Sequence, residues 1–152
     1  MQITLTINEK AHVLDVPNNE LLIDTLRERL FYYGTKKGCG TGECGACTVL
    51  IDGLPLNACL LFTVRLEGKQ IKTIEGVAKN GKLSRLQELF VENAAVQCGF
   101  CAPGMVLSAE AFLAENPKPT LDEIREGISG NVCRCSGYTH ILKAITLASE
   151  EL

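Results

Sequence analysis

Gly38-Cys39-Gly40-Thr41-Gly42-Glu43-Cys44-Gly45-Ala46-Cys47-Thr48-Val49 is the stretch that decides how this chain folds. Its three cysteines are spaced C-x4-C-x2-C, and Cys59 completes a quartet that reads C-x4-C-x2-C-x11-C. Further along, Cys98, Cys101, Cys133 and Cys135 form a second quartet, C-x2-C-x31-C-x-C. All 8 cysteines of the 152-residue chain fall into one quartet or the other. Glycines crowd both: Gly38, Gly40, Gly42 and Gly45 around the first, Gly99, Gly104, Gly130 and Gly137 around the second.

Four chemistries compete for such a pattern. A disulfide framework needs an oxidising compartment. The opening Met1-Gln2-Ile3-Thr4-Leu5-Thr6-Ile7 alternates like a strand, without a basic n-region, an apolar h-region or a twin arginine, so no export signal is expected and the thiols stay reduced. Structural zinc usually takes two C-x2-4-C knuckles. Only Cys44/Cys47 and Cys98/Cys101 have that form, and Cys133-Arg134-Cys135 does not. Inert core cysteines would not gather beside glycines. The remaining chemistry is iron–sulfur: C-x4-C-x2-C is the plant-type spacing for a 2Fe–2S cluster. An oxidised cluster with four thiolates is a dianion, which backbone N–H groups must meet where basic side chains are few. Glycine lets the backbone curl into such an N–H nest. Two clusters in one small chain make a wire for single electrons.

The same loop contains a decoy. Gly40-Thr41-Gly42-Glu43-Cys44-Gly45 spells G-x-G-x-x-G, but a dinucleotide fingerprint opens a helix, whereas this one opens into the β-rich Thr48-Val49-Leu50-Ile51. Neither a Walker A nor an HExxH motif is present. Hydrophobic residues make up 46% and charged residues 22% of the chain, as in ordinary globular proteins. A formal charge of −3 gives no basic face for nucleic acid. No apolar run approaches the ~20 residues of a membrane span.

The hydrophobic period divides the chain. Ile3, Leu5 and Ile7 alternate, Asn8-Glu9-Lys10 turns, and Ala11 to Val16 alternates again, predicting a hairpin. Asn19 is expected to cap a helix from Glu20 to about Arg29, with Leu22, Ile23, Leu26 and Leu30 as its apolar stripe. Thr48–Ile51, Asp52-Gly53 and Leu54–Leu61 predict a second hairpin, and Gln70–Ile74 a further strand. From residue 83 the period is helical. Leu83, Leu86, Leu89 and Phe90 share a face. Pro103 opens a helix that carries Met105, Ala109, Phe112 and Leu113 on one side. Thr120-Leu121-Asp122-Glu123 is a capping box, and a last helix from about Thr139 to Ala148 buries Ile141, Leu142 and Ile145. The expected class is α+β: an N-terminal β-grasp, plant-type 2Fe–2S ferredoxin domain over residues 1–76, then an all-α four-helix 2Fe–2S domain over 77–152.

With Gln97-Cys98-Gly99-Phe100-Cys101-Ala102-Pro103-Gly104 and Gly130-Asn131-Val132-Cys133-Arg134-Cys135-Ser136-Gly137-Tyr138 beside the opening motif, the chain resembles the iron–sulfur subunit of the xanthine dehydrogenase family of molybdenum hydroxylases. The resemblance covers essentially the whole chain. It implies that Cys39, Cys44, Cys47 and Cys59 ligate the cluster nearer a flavin, and Cys98, Cys101, Cys133 and Cys135 the cluster nearer molybdenum. Gln97 matches the residue whose amide contacts the pterin, and Cys135 the ligand closest to the pterin edge. From the residues alone, Gln97 reads as a solvated helix-end side chain. Two positions depart from the family pattern: Ala102 and Ser136 each stand where threonine is commoner.

The same resemblance implies a cytoplasmic electron-transfer subunit of a molybdenum-dependent oxidoreductase, with no substrate site of its own. A large partner would bind molybdopterin and a medium one FAD, in a dimer of heterotrimers. The chain stops at Leu152, where fused relatives continue into flavin and molybdenum domains, and it is therefore expected to be a separate small subunit. The stretch Glu75 to Ser84 looks like the linker of xanthine and nicotinate dehydrogenases, which points to an N-heteroaromatic substrate. Small subunits of carbon monoxide, aldehyde and hydroxybenzoyl-CoA oxidoreductases are similar, and a free-standing two-cluster ferredoxin is the contrasting class.

Overall fold

The computed structural model describes residues 1–151. Strand β1 (Gln2–Ile7) pairs antiparallel with β2 (Lys10–Asp15), with Ile7 opposite Lys10. That register leaves Asn8 and Glu9 as a two-residue turn, both at positive φ (49° and 68°), the primed geometry that matches strand twist. Ile3, Leu5 and Ile7 point inward as the alternation predicts. The second hairpin joins β3 (Thr48–Ile51) to β4 (Leu54–Asn57) over Asp52-Gly53, again at positive φ. Strand β5 (Gln70–Lys72) lies parallel to β1 and antiparallel to β3, giving the order β2-β1-β5-β3-β4.

The expected helix after Pro17 is a different object. It is one α-turn, α1 (Leu22–Asp24), running into a π-turn at Thr25–Arg29, where Leu30 N–H reaches back to the Thr25 carbonyl. Asn19 does not cap it: the residue before the helix is Leu21, without a side-chain cap. Tertiary partners take over instead. Leu22 N–H donates to the Leu61 carbonyl, Thr63 N–H to the Glu20 carbonyl, and the buried Thr25 and Thr63 hydroxyls meet at 2.7 Å. Leu22, Ile23 and Leu26 still bury their apolar side chains. Strand β4 also stops short, because Ala58–Leu60 forms a 3-10 turn that carries Cys59 inward.

In the second half, α2 (Arg85–Glu92) starts with a Ser84–Gln87 capping box, and α4 (Leu121–Gly127) with the expected Thr120–Glu123 box. Leu83 lies outside α2 and is exposed. Helix α3 (Ala102–Glu115) has proline in its first turn and is buried continuously from Gly104 to Ala109, so it is wrapped on every side rather than amphipathic. Helix α5 (Tyr138–Glu150) buries Ile141, Ala144 and Ile145. The architecture is thus the expected α+β one, a β-grasp sheet followed by a helical unit.

Strand β3 is buried at all four positions because it serves both units. Val49 and Ile51 belong to the core of the sheet, while Leu50 points the other way into the core of the helices. Cys47 and Cys59 are part of the first core and Cys133 of the second. Each quartet is therefore anchored in a different hydrophobic core, and one strand separates the two. Among the described residues no helix is long and apolar enough to cross a membrane.

Candidate metal centres

All eight cysteines are free thiols. In the first quartet, the loop before β3 wraps around Cys39. The N–H groups of Thr41, Glu43 and Cys44 each donate to Cys39 Sγ at 3.4 Å, and Cys39 N–H donates to Cys44 Sγ at 3.4 Å. Hydrogen bonds from Thr41, then from Cys44 and Glu43, pull the Cys39 thiol down from its ordinary 9.0 to about 5. The exposed rim of the quartet is already disposed to be anionic. Cys47 and Cys59 lie at the buried end, beside each other, and burial pushes the Cys47 thiol up to about 12. The Asn57 amide ties this quartet together by donating to the Gly42 carbonyl at 2.9 Å.

The second quartet has the same polarity but another construction. Cys98 is exposed, and its thiol is lowered by the Phe100 amide and by Cys135. Cys101, at the start of α3, is pushed up to about 12 by burial and by Cys133 alongside. Cys133 sits in the helical core. Its own N–H donates to the Tyr138 hydroxyl at 2.7 Å, while Gly137 N–H donates to its sulfur at 3.5 Å. Gln97, Cys98, Cys101, Cys133, Cys135 and Gly137 line one recess. Gln97 is exposed at its edge, with its amide nitrogen 3.5 Å from where a Cβ on Gly137 would lie. The structure thus brings Gln97 and Cys135 to the same opening.

These donor sets fit iron–sulfur chemistry. Desolvation and the neighbouring sulfurs hold the proton on Cys47 and on Cys101; metal cations remove that obstacle. Among the described residues, no three or more His, Cys, Asp or Glu side chains close on a single ion. A 2Fe–2S cluster shares its four thiolates between two irons and so asks for a wider set. A cavity of about 920 Å³ lies beside the Lys72–Glu110 ion pair and is lined by no cysteine.

A junction that the sequence motifs do not reveal joins the two quartets. Val132 N–H donates to the Cys44 carbonyl at 2.9 Å. Its neighbour Asn131, 6% exposed, donates from Nδ2 to the Gly45 carbonyl at 3.0 Å and to Thr48 Oγ1 at 3.3 Å. Asn131 Oδ1 accepts from the Ser108 hydroxyl of α3 at 2.7 Å. Gly45 must be glycine here: its φ is +68°, and a Cβ would lie 2.4 Å from the Gly130 carbonyl oxygen.

Comparison with known proteins gives two family matches. Residues 5–72 match the 2Fe-2S iron-sulfur cluster binding domain, and residues 73–146 the [2Fe-2S] binding domain. The chain is 46% identical over 148 residues to the nicotinate dehydrogenase small FeS subunit of Eubacterium barkeri, covering 97% of this chain and 94% of that protein. It is also 46% identical over 145 residues to the xanthine dehydrogenase iron-sulfur-binding subunit of Escherichia coli O157:H7, covering 94% and 91%. Among solved structures, quinoline 2-oxidoreductase from Pseudomonas putida 86 superposes with a TM-score of 0.95 at 49% identity, over 99% of this chain and 94% of that one. The aldehyde oxidoreductase of Desulfovibrio desulfuricans ATCC 27774 gives 0.94 at 39% identity, with 99% of this chain covering 17% of that longer one.

Proposed function

Because this chain belongs to the small 2Fe–2S subunits of the xanthine dehydrogenase family of molybdenum hydroxylases, we propose that Cys39, Cys44, Cys47 and Cys59 hold one cluster and Cys98, Cys101, Cys133 and Cys135 the other. It is the iron–sulfur subunit of a molybdenum-dependent oxidoreductase and works with larger partner subunits. When bound, each cluster supplies a site that takes up and releases one electron. The protein's own task is to hold eight thiolates in two sets, exclude water from the inner pair of each, and keep the two sets at a fixed separation. The observation that carries this function is the pairing of quartets across β3, each with a buried end and an exposed rim. An exposed rim is where an electron can enter or leave.

The finer assignments follow the family plan. The Cys98 quartet faces the molybdopterin subunit, with Gln97 and Cys135 at the pterin edge, and the Cys39 quartet faces an FAD subunit. The units divide at 76/77, the assembly is a dimer of heterotrimers, and it works in the cytoplasm. An N-heteroaromatic substrate is supported by relatives named for nicotinate, xanthine and quinoline at 46–49% identity. The aldehyde oxidoreductase subunit of Escherichia coli, at 44%, stands close behind. Assaying the assembled enzyme with nicotinate, xanthine, quinoline and an aromatic aldehyde separates the two classes.

The order of the wire is tested by breaking one link at a time. Cys135→Ser should leave the flavin oxidised on substrate addition, although an artificial reductant still reduces the Cys39 quartet's cluster. Cys44→Ser should leave substrate able to reduce the other cluster, with onward transfer to flavin stalled. Stopped-flow absorbance of both assembled variants reads the difference. Equal loss of substrate-driven reduction of the remaining cluster in both rejects the order.

A further inference from the structure

Asn131 is no ligand in this scheme, yet each end of its side-chain amide is committed. The Ser108 hydroxyl occupies Oδ1, which turns Nδ2 toward the Gly45 carbonyl and Thr48 Oγ1. The next residue, Val132, donates its N–H to the Cys44 carbonyl. Two consecutive residues thus clamp two consecutive carbonyls, and the register is fixed at two points rather than one. One residue beyond Val132 is Cys133. From Cys44 to Cys133 there is therefore a line of covalent bonds interrupted by a single 2.9 Å hydrogen bond. An electron tunnels more readily along bonds, and across a short hydrogen bond, than across a van der Waals gap. The Val132 side chain is half exposed, whereas the Asn131 side chain is buried.

We propose that Asn131 is the positioning residue for electron passage between the two quartets, holding the Val132 N–H on the Cys44 carbonyl so that ligand Cys44 and ligand Cys133 are joined through one hydrogen bond. The inference rests on both quartets carrying clusters. The step it serves is simple: one electron leaves the iron pair of one quartet, which is oxidised by one, and enters that of the other, which is reduced by one. No bond breaks and no proton moves. The Gly45 carbonyl keeps two other donors, Thr48 N–H at 3.1 Å and the Thr48 hydroxyl at 2.7 Å. Truncating Asn131 therefore strands no buried acceptor at Gly45; it removes the register there and also the acceptor of the buried Ser108 hydroxyl.

The test uses the full chain loaded with iron and sulfide. A flash photoreductant delivers one electron per chain, and freeze-quench EPR follows its redistribution between the clusters. Asn131→Ala should slow redistribution several-fold while iron content, sulfide content and both midpoint potentials stay at wild-type values. Ser108→Ala, which frees only the Oδ1 end, should slow it less. A merely structural role would lower stability and leave the rate alone. Wild-type redistribution in loaded Asn131→Ala overturns the proposal. Should that variant fail to hold both clusters, Ser108→Ala decides in its place by the same criterion. Wild-type protein that binds only one cluster defeats the two-cluster assignment itself, which iron analysis reports before any variant is measured.

Discussion

The two quartets reach the same end by opposite routes. Three ligands of the first lie within nine residues, Cys39 to Cys47, in a loop whose own amides fold onto Cys39, and the fourth arrives on the turn after β4. The second gathers Cys98 and Cys101 before α3 with Cys133 and Cys135 before α5, and α3 and α4 intervene. The first is held by local backbone geometry on a sheet, and the second by the packing of helices that the ligands themselves help to tie together. Metal binding is folding free energy wherever the site does not exist beforehand. The second quartet should therefore depend on its cluster far more than the first.

Removing iron offers the largest expected effect and the most direct way to break this comparison. In the metal-free chain, amide hydrogen exchange should quicken by orders of magnitude over Gly130–Gly137 and the start of α5, while β1 and β2 keep most of their protection. The sheet retains the antiparallel register of β1 with β2 and its own core of Ile3, Leu5, Ile7, Val49 and Ile51. Equal loss of protection in both halves would show that the first quartet is no more preformed than the second.

A pair of glycines sharpens the picture at the junction. Gly40 and Gly45 both have positive φ, at 73° and 68°. A Cβ on Gly40 would meet nothing within 4 Å, whereas one on Gly45 would lie 2.4 Å from the Gly130 carbonyl oxygen. Gly40→Ala should cost only the left-handed penalty, about 1–2 kcal/mol. Gly45→Ala should cost that and also displace the Gly130–Asn131 backbone, for roughly 4 kcal/mol or more in total, a size reserved for a short list of mechanisms. Denaturation followed by visible absorbance should show Gly45→Ala releasing the second cluster as well as the first. If both variants behave alike, the junction does not couple the quartets.

Much of this was legible because ligand chemistry and β-turn chemistry are local. The cysteine spacings, the Asp52-Gly53 turn and the Thr120–Glu123 box are each written in a few adjacent residues. The misread elements are those where a distant partner overrides local preference. Asn19 looks like a cap, but the Leu61 and Glu20 backbone groups settle that segment, and the π-turn follows from its packing. Helix α3 is expected to show one apolar face, yet all of Gly104–Ala109 is buried, which no period within α3 announces. Asn131 and Ser108 are 23 residues apart and meet only in the folded chain, where Asn131 also reaches Gly45. Only its place two residues before Cys133, in Gly130-Asn131-Val132-Cys133, could point to that junction from the sequence.

The smallest expected effect concerns protons, and it separates the rim of each quartet from its interior. In the metal-free chain the folded Cys39 thiol sits at about 5, below its ordinary 9.0, so its thiolate favours the folded loop fully above pH 9 and loses that advantage as pH falls toward 5. Cys47 runs the other way. Raised to about 12, its neutral thiol favours the fold below pH 9, and that contribution disappears as pH climbs to 12. Cys98 follows Cys39 in direction, and Cys101 follows Cys47. Only thiolates attack an alkylating agent. Brief treatment of metal-free protein with iodoacetamide at neutral pH should therefore mark Cys39 and Cys98 well before Cys47, as peptide mass mapping would show. Loading with iron and sulfide should abolish labelling at all three together. If Cys47 reacts as fast as Cys39 before loading, the first quartet has no buried end in solution, and the contrast between a preformed loop and an assembled helical site loses its basis.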